Sequence, residues 1–207
     1  MSKTLPKPPI VVFGGSFNPP TVAHVMAVAY ILSRVDWLDL RVMPVYDHAH
    51  GKELLSFAKR LKLTRQAMDI FGGNVLVSSF EAVHKPKNTL EMVLQLKKLN
   101  PDREVTLVIG ADCYRDRATW HRWDLLEKEV SFAVIGRGGV DLDDPKLLMP
   151  ITLPEISSTD VRERAAKSDA TIRHLLPSGV FDQIRREKLY GYDYTVEKWE
   201  EDEDEAA

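Results

Sequence analysis

The residues most able to do chemistry lie near the start of the chain, in Gly14-Gly15-Ser16-Phe17-Asn18-Pro19-Pro20-Thr21-Val22-Ala23-His24. Two adjacent glycines permit a tight turn and leave the backbone open to close approach by a ligand. Pro19 and Pro20 stop any earlier helix, and a helical pattern begins just after them. Thr21 and His24 are therefore expected in the first turn of a helix, three apart on one face. Such a helix start offers unpaired N–H groups and a partial positive charge. Ile10 to Phe13, apolar and rich in β-branched residues, reads as a buried strand just before the glycines. Strand, glycine turn and helix start in succession make an anion site, most often for phosphate. An imidazole placed there can donate to a pentacoordinate phosphorus, a reaction that needs mainly positioning and charge neutralisation. Taken alone, Gly-Gly is often only a turn, and a histidine near a helix start only a cap or a surface residue.

A second group stands more than 130 residues later, in Ile156-Ser157-Ser158-Thr159-Asp160-Val161-Arg162. Ser158 and Arg162 are four apart, so both can face one anion beside a helix start, and the planar guanidinium suits phosphate. A hydroxyl cap with a solvent-exposed arginine would show the same spacing. A third group is Gly110-Ala111-Asp112 with Trp120. A carboxylate at a strand end can accept from ribose hydroxyls, and a tryptophan can stack on a heteroaromatic ring. A capping aspartate and a core tryptophan are the plainer readings of each. His24, His48 and His50 suggest a metal only weakly, because no carboxylate–histidine pattern completes a site. The expectation is no metal held by protein ligands alone.

The elements that must position these residues follow from the pattern of apolar positions. Strands are expected at Ile10–Phe13, Leu38–Val45, Val75–Phe80, Val105–Ile109, Ser131–Ile135 and Leu147–Leu153. Helices are expected at Thr21–Arg34, Glu53–Phe71 (closed by Gly72-Gly73), Thr89–Leu99, a segment from about Ser157, and Val180–Lys188. Strands alternating with helices, with near-continuous apolar runs, argue an α/β fold with a parallel sheet covered on both faces. Ligands then bind at the carboxyl ends of the strands, where strand order reverses. Gly14-Gly15, Gly110-Asp112 and Arg137 all fall at such ends.

The 207 residues suit one domain, residues 1–190 with a helical portion from about 157 and an acidic tail at 191–207. Glu200 to Glu205 is unbroken in negative charge, so the tail is expected to be solvated and disordered. A net charge of −3 gives no general attraction to nucleic acid. Cys113 is the sole cysteine, which rules out an internal disulfide. No signal peptide or membrane-spanning run stands out, so a soluble cytoplasmic protein is expected.

Gly-Gly-Ser-Phe-Asn-Pro-Pro-Thr-x-x-His resembles the (His or Thr)-x-x-His signature of the nucleotidyltransferase superfamily, and Ile-Ser-Ser-Thr-x-x-Arg resembles its second signature. With Ile109-Gly110-Ala111-Asp112, Thr119-Trp120 and Arg137-Gly138-Gly139, the chain is similar to the nicotinate/nicotinamide mononucleotide adenylyltransferases over about residues 10 to 190. The resemblance implies a Rossmann-like, doubly wound sheet, with ATP and nicotinate or nicotinamide mononucleotide as substrates in NAD biosynthesis. It also implies Mg²⁺ carried with ATP. Catalytic roles would fall to His24, Thr21 and Arg162. ATP would be held by Gly14, Gly15, Ser16, Phe17, His24, Lys52, Gly110, Asp112, Arg137, Ser157, Ser158, Thr159 and Arg162. The mononucleotide would be held by Ser16, Phe17, Lys52, Thr89 and Trp120, with Trp120 stacked on the pyridine ring and Thr89 near its amide or carboxylate. Two departures bear on the choice of acid or amide, which stays open. The usual Pro-Pro-His-Lys after strand two is Tyr46-Asp47-His48-Ala49-His50-Gly51-Lys52, and His121 follows Trp120 where a tyrosine is common. The alternatives are another superfamily member, such as the phosphopantetheine enzyme, or a non-catalytic nucleotide sensor. Neither nucleic acid nor membrane is implied as a partner, and a homo-oligomer is compatible with the reading.

Overall fold

The computed structural model describes residues 7–34, 38–47, 54–137 and 148–193, and for Arg137, Leu148 and Pro150 the backbone alone. Among these residues six strands form one sheet: β1 (Ile10–Gly15), β2 (Asp39–Pro44), β3 (Val75–Val77), β4 (Val105–Gly110), β5 (Ser131–Arg137) and β6 (Leu148–Leu153). Their spatial order is β3-β2-β1-β4-β5-β6, and every pairing is parallel. The expected parallel sheet is therefore present in the doubly wound arrangement, with the reversal of strand order between β1 and β4. Phe13 pairs with Val108 across that reversal, which brings the glycine ends of both strands to the same edge.

Among the described residues eight α-helices cover the sheet: α1 (Val22–Leu32), α2 (Phe57–Met68), α3 (Phe80–His84), α4 (Thr89–Leu99), α5 (Ala111–Arg115), α6 (Trp123–Glu129), α7 (Ser158–Ala166) and α8 (Ser178–Glu187). Successive strand residues point to opposite faces. Val11, Leu40, Val42 and Val108 accordingly pack in one cluster with apolar residues of α1, α2, α7 and α8. Ile10, Val12, Met43 and Leu107 pack in another with residues of α4 and α6. Each fully buried Ile, Leu or Val in these clusters contributes ~1.5–3 kcal/mol.

Several boundaries differ from expectation for visible reasons. Thr21 is the N-cap of α1 in an extended conformation, not a residue of its first turn. The helix expected from Glu53 starts at Phe57, because Ser56 caps it through Lys59 N–H at 3.5 Å. It gives way after Met68 to a 3₁₀ turn, Asp69–Asn74, in which Gly72 takes φ 55°. Strand β3 stops at Val77, since Ser78 Oγ accepts from Phe80 N–H at 3.1 Å and turns the chain into α3. Among the described residues no helix is long and apolar enough to cross a membrane.

Candidate active site

The first site element is the turn from β1 into α1. Gly14 and Gly15 remain in the strand, and the left-handed residue of the turn is Phe17, at φ 46°. Gly14 is exposed, with open space where a Cβ would stand, so a ligand can approach its backbone. Gly15 has a different reason to be glycine: a Cβ there would lie 3.2 Å from the buried ring of Phe17. The Asn18–Pro19 peptide that follows is cis.

At the start of α1 the side chains of Thr21 and His24 meet. His24 Nδ1 accepts from the Thr21 backbone N–H at 3.0 Å, and Thr21 Oγ1 lies 2.8 Å from the same nitrogen. An Nδ1 that accepts keeps its lone pair, so the neutral ring carries its proton on Nε2 as a donor. The ring is held between Phe17 and Phe13, with centroids 5.1 and 6.2 Å away. The helix start thus fixes both the orientation and the tautomer of the imidazole.

The second motif arrives at the same turn. Ser157 caps α7 by accepting from Asp160 N–H at 3.0 Å. Ser158 Oγ donates to Pro19 O at 2.7 Å. Arg162 Nη1 donates to Asn18 O at 2.9 Å and to Ser158 O at 3.1 Å, and its Nη2 donates to Thr159 Oγ1 at 3.2 Å. The sequence suggested Ser158 and Arg162 converging on an anion. In the structure both bond to the Asn18–Pro19 turn, which sets the α7 start and the Arg162 guanidinium beside the α1 start.

At the end of β4, Gly110 precedes α5, and a Cβ on it would stand 2.4 Å from Asp112 Oδ1. The carboxylate is folded back over the glycine at the strand end. Trp120 packs on the opposite face of the sheet, edge to face with Trp123 at 5.8 Å. Trp123 itself stacks on Phe132 at 4.6 Å. Thr89 opens α4, whose Leu90, Met92, Val93 and Leu96 share the cluster that Trp120 packs against. The phosphate-type residues of α1 and α7 thus lie over one face of the sheet, and Thr89, at the start of α4, and Trp120 over the other. Lys52, His48, His50 and the tail from Tyr194 lie outside the described residues, as does the side chain of Arg137.

Four residues of this edge received no role from the sequence. Asn18 Oδ1 accepts from Tyr190 OH at 2.9 Å and from Leu55 N–H at 3.3 Å. Burial raises the Tyr190 phenol well above its usual pKa, against the pull of the Arg162 and Arg60 charges, so it is a donor. Arg60 is buried and bonded to three backbone carbonyls. Glu81 accepts from Tyr46 N–H at 2.8 Å, and burial raises its pKa although that N–H and Arg60 pull it back. Arg60 had one legible signal. Residues 60, 63, 64 and 67 form an i, i+3, i+4, i+7 stripe, all buried, so a cation stands in the apolar face of α2.

The model of the cytidylyltransferase-like family matches residues 12–164. A protein of Anaeromyxobacter dehalogenans named "Probable nicotinate-nucleotide adenylyltransferase" is 33% identical over 187 residues, 87% of this chain and 96% of its own. One of the same name from Geobacillus thermodenitrificans is 31% identical over 88% of this chain and 86% of its own. The fold is also that of Plasmodium falciparum nicotinic acid mononucleotide adenylyltransferase complexed with NaAD. The TM-score is 0.78 at 22% identity, over 90% of this chain and 98% of that one.

Proposed function

The chain belongs to the cytidylyltransferase-like family, among its nicotinate-nucleotide adenylyltransferases, and from that premise we propose that it joins nicotinate mononucleotide to the AMP moiety of ATP. The products are the deamido form of NAD and pyrophosphate. The observation that carries this reading is the meeting of two helix starts, Thr21–His24 and Ser158–Arg162, around the Asn18–Pro19 turn at the end of β1.

An oxygen of the mononucleotide phosphate attacks the α-phosphorus of ATP in line. The new O–P bond forms as the bond from that phosphorus to the oxygen bridging to the β-phosphorus breaks, and pyrophosphate leaves with the electron pair. The nucleophile is already ionised, so no general base is assigned. His24 Nε2–H donates to the triphosphate where negative charge grows, and Arg162 with the α7 N–H groups balances that charge. Thr21 acts beside them, near the reacting phosphate. The exposed backbone of Gly14 admits the phosphates closely. Asp112 accepts from the adenosine ribose, and Trp120 stacks on the pyridine ring. Thr89 is the first residue of α4, where Asn88 Oδ1 takes the Glu91 N–H at 3.0 Å and the partial positive charge of the helix start favours a carboxylate over an amide. This agrees with the names of the relatives. Among the described residues no group of three His, Cys, Asp or Glu could hold a metal ion. Mg²⁺ enters as part of the ATP substrate, whose phosphates supply most of its ligands. The enzyme acts in the cytoplasm.

His24→Ala tests the reading. Removal of one preorganised donor lowers turnover by ~10²–10³, measured as single-turnover pyrophosphate release with ATP and nicotinate mononucleotide. A rate within threefold of the parent would remove His24 from the reaction. In the parent, nicotinate mononucleotide is expected to be used in preference to the amide, and the reverse order would overturn the choice of acid.

A further inference from the structure

Arg60 lies in α2, outside every motif of the sequence, and is 1% exposed. Its guanidinium donates from Nη1 to Ser16 O at 2.9 Å, from Nη2 to Tyr46 O at 3.1 Å and from Nε to Leu55 O at 2.9 Å. The three carbonyls belong to the turn after β1, the exit from β2 and the entry to α2, all at the carboxyl edge of the sheet. Two of these residues are also held through their N–H groups. Tyr46 N–H donates to Glu81 Oε2 at 2.8 Å, and Leu55 N–H to Asn18 Oδ1 at 3.3 Å. The chain that leaves at Tyr46 and returns at Leu55 is therefore fastened at both ends to the glycine loop through one cation.

A buried charge is a poor choice for stability alone, since a packed apolar side chain in its place is often neutral or stabilising. What the guanidinium supplies and an apolar residue does not is a planar fork that fixes the spacing of its acceptors. We infer that Arg60 is a positioning residue for adenylyl transfer: it sets Ser16, and with it the phosphate-facing turn, against the Tyr46 and Leu55 ends of the neighbouring segment. The inference rests on the reaction proposed above. It is distinct from the roles of Thr21, His24 and Arg162, because Arg60 acts through main-chain carbonyls.

The test uses Arg60→Lys and Arg60→Met in the full chain, with Leu63→Ala as a measure of plain destabilisation. Leu63 is buried on the same helix within the apolar cluster. All are assayed with ATP and nicotinate mononucleotide at a temperature where circular dichroism finds them folded. Leu63→Ala is expected to melt earlier yet keep the parental kcat/KM. The Arg60 variants are expected to lose ~10–10²-fold, mostly in kcat, as a small misplacement does. An Arg60 variant that folds and stays within twofold of the parent, or loses no more than Leu63→Ala, overturns the assignment. If neither Arg60 variant folds, Glu81 decides. A loss of about fivefold in Glu81→Ala, restored in Glu81→Gln, upholds the brace, on the scale of one lost hydrogen bond; parental kinetics in Glu81→Ala reject it. Amide exchange at Tyr46 and Leu55 reads the brace without any turnover. It should quicken in the Arg60 variants, which keep the Glu81 and Asn18 acceptors of these two N–H groups, and an unchanged rate rejects the brace. An inactive parent defeats the proposed reaction; an active parent with equally active Arg60 variants defeats this inference alone.

Discussion

A methyl group on Gly110 would stand 2.4 Å from Asp112 Oδ1, so any side chain there displaces the carboxylate. The clashing atom is the end of a flexible side chain, and the fold can absorb the change. Gly110→Ala is therefore expected to leave the melting temperature nearly unchanged and to raise KM for ATP about tenfold, the scale of one charged hydrogen bond. A parental KM would remove Asp112 from nucleotide binding. Residues whose role is local were legible in the sequence. Thr21 and His24 lie three apart beside a helix start, and the structure pairs them at 2.8 Å. Residues whose role is distant were not. The left-handed turn residue is Phe17 where the glycines drew attention, and Arg60 binds carbonyls up to 44 positions away.

Among the elements, α7 carries the joint between the two motifs. Ser158 Oγ and Arg162 Nη1 hold consecutive carbonyls, Pro19 and Asn18. Ser158→Ala removes one of these bonds and leaves Pro19 O without that donor. It should cost ~1 kcal/mol and lower the melting temperature by roughly 2–4 °C for a chain of this size. Thermal unfolding checks the loss, and an unchanged midpoint would show that the bond contributes nothing to docking α7. The motifs at both ends of this joint were visible in the sequence. Their use of serine and arginine to grip a turn was not, because a backbone carbonyl leaves no mark in a sequence. Element boundaries shifted for similar reasons: Ser78 ends β3 early by bonding Phe80 N–H, and Ser56 delays α2.

At the scale of the whole molecule, the parallel sheet carries the proposed site at the carboxyl ends of its strands and an ion cluster at the start of β2. At the start of β2, Asp39 pairs with Arg41 and Arg103, each at 2.7 Å. Burial pushes the Asp39 carboxyl up, but the bonds and charges of the two arginines outweigh it and hold the pKa below its usual 3.8. Its contribution is fully present above the unfolded value and is lost as pH falls through the folded one. Asp39→Asn should therefore be less stable by ~1–3 kcal/mol at neutral pH, with the gap closing in acid below pH 3.8. Urea unfolding at both pH values checks this, and a gap independent of pH would contradict it. The sheet itself was legible because burial on both faces makes its strands near-continuous apolar runs, such as Val105–Ile109, broken only by Thr106. The division of that core into two clusters, and the gathering of α1 and α7 over one face of the sheet, required the strand order and the packing. The central claim concerns the fate of the α-phosphorus. With ATP labelled at that phosphorus and nicotinate mononucleotide, the account predicts label only in the dinucleotide, with one unlabelled pyrophosphate released per dinucleotide formed. Label left in AMP or ADP, or label transferred to phosphopantetheine and to neither pyridine mononucleotide, would contradict it.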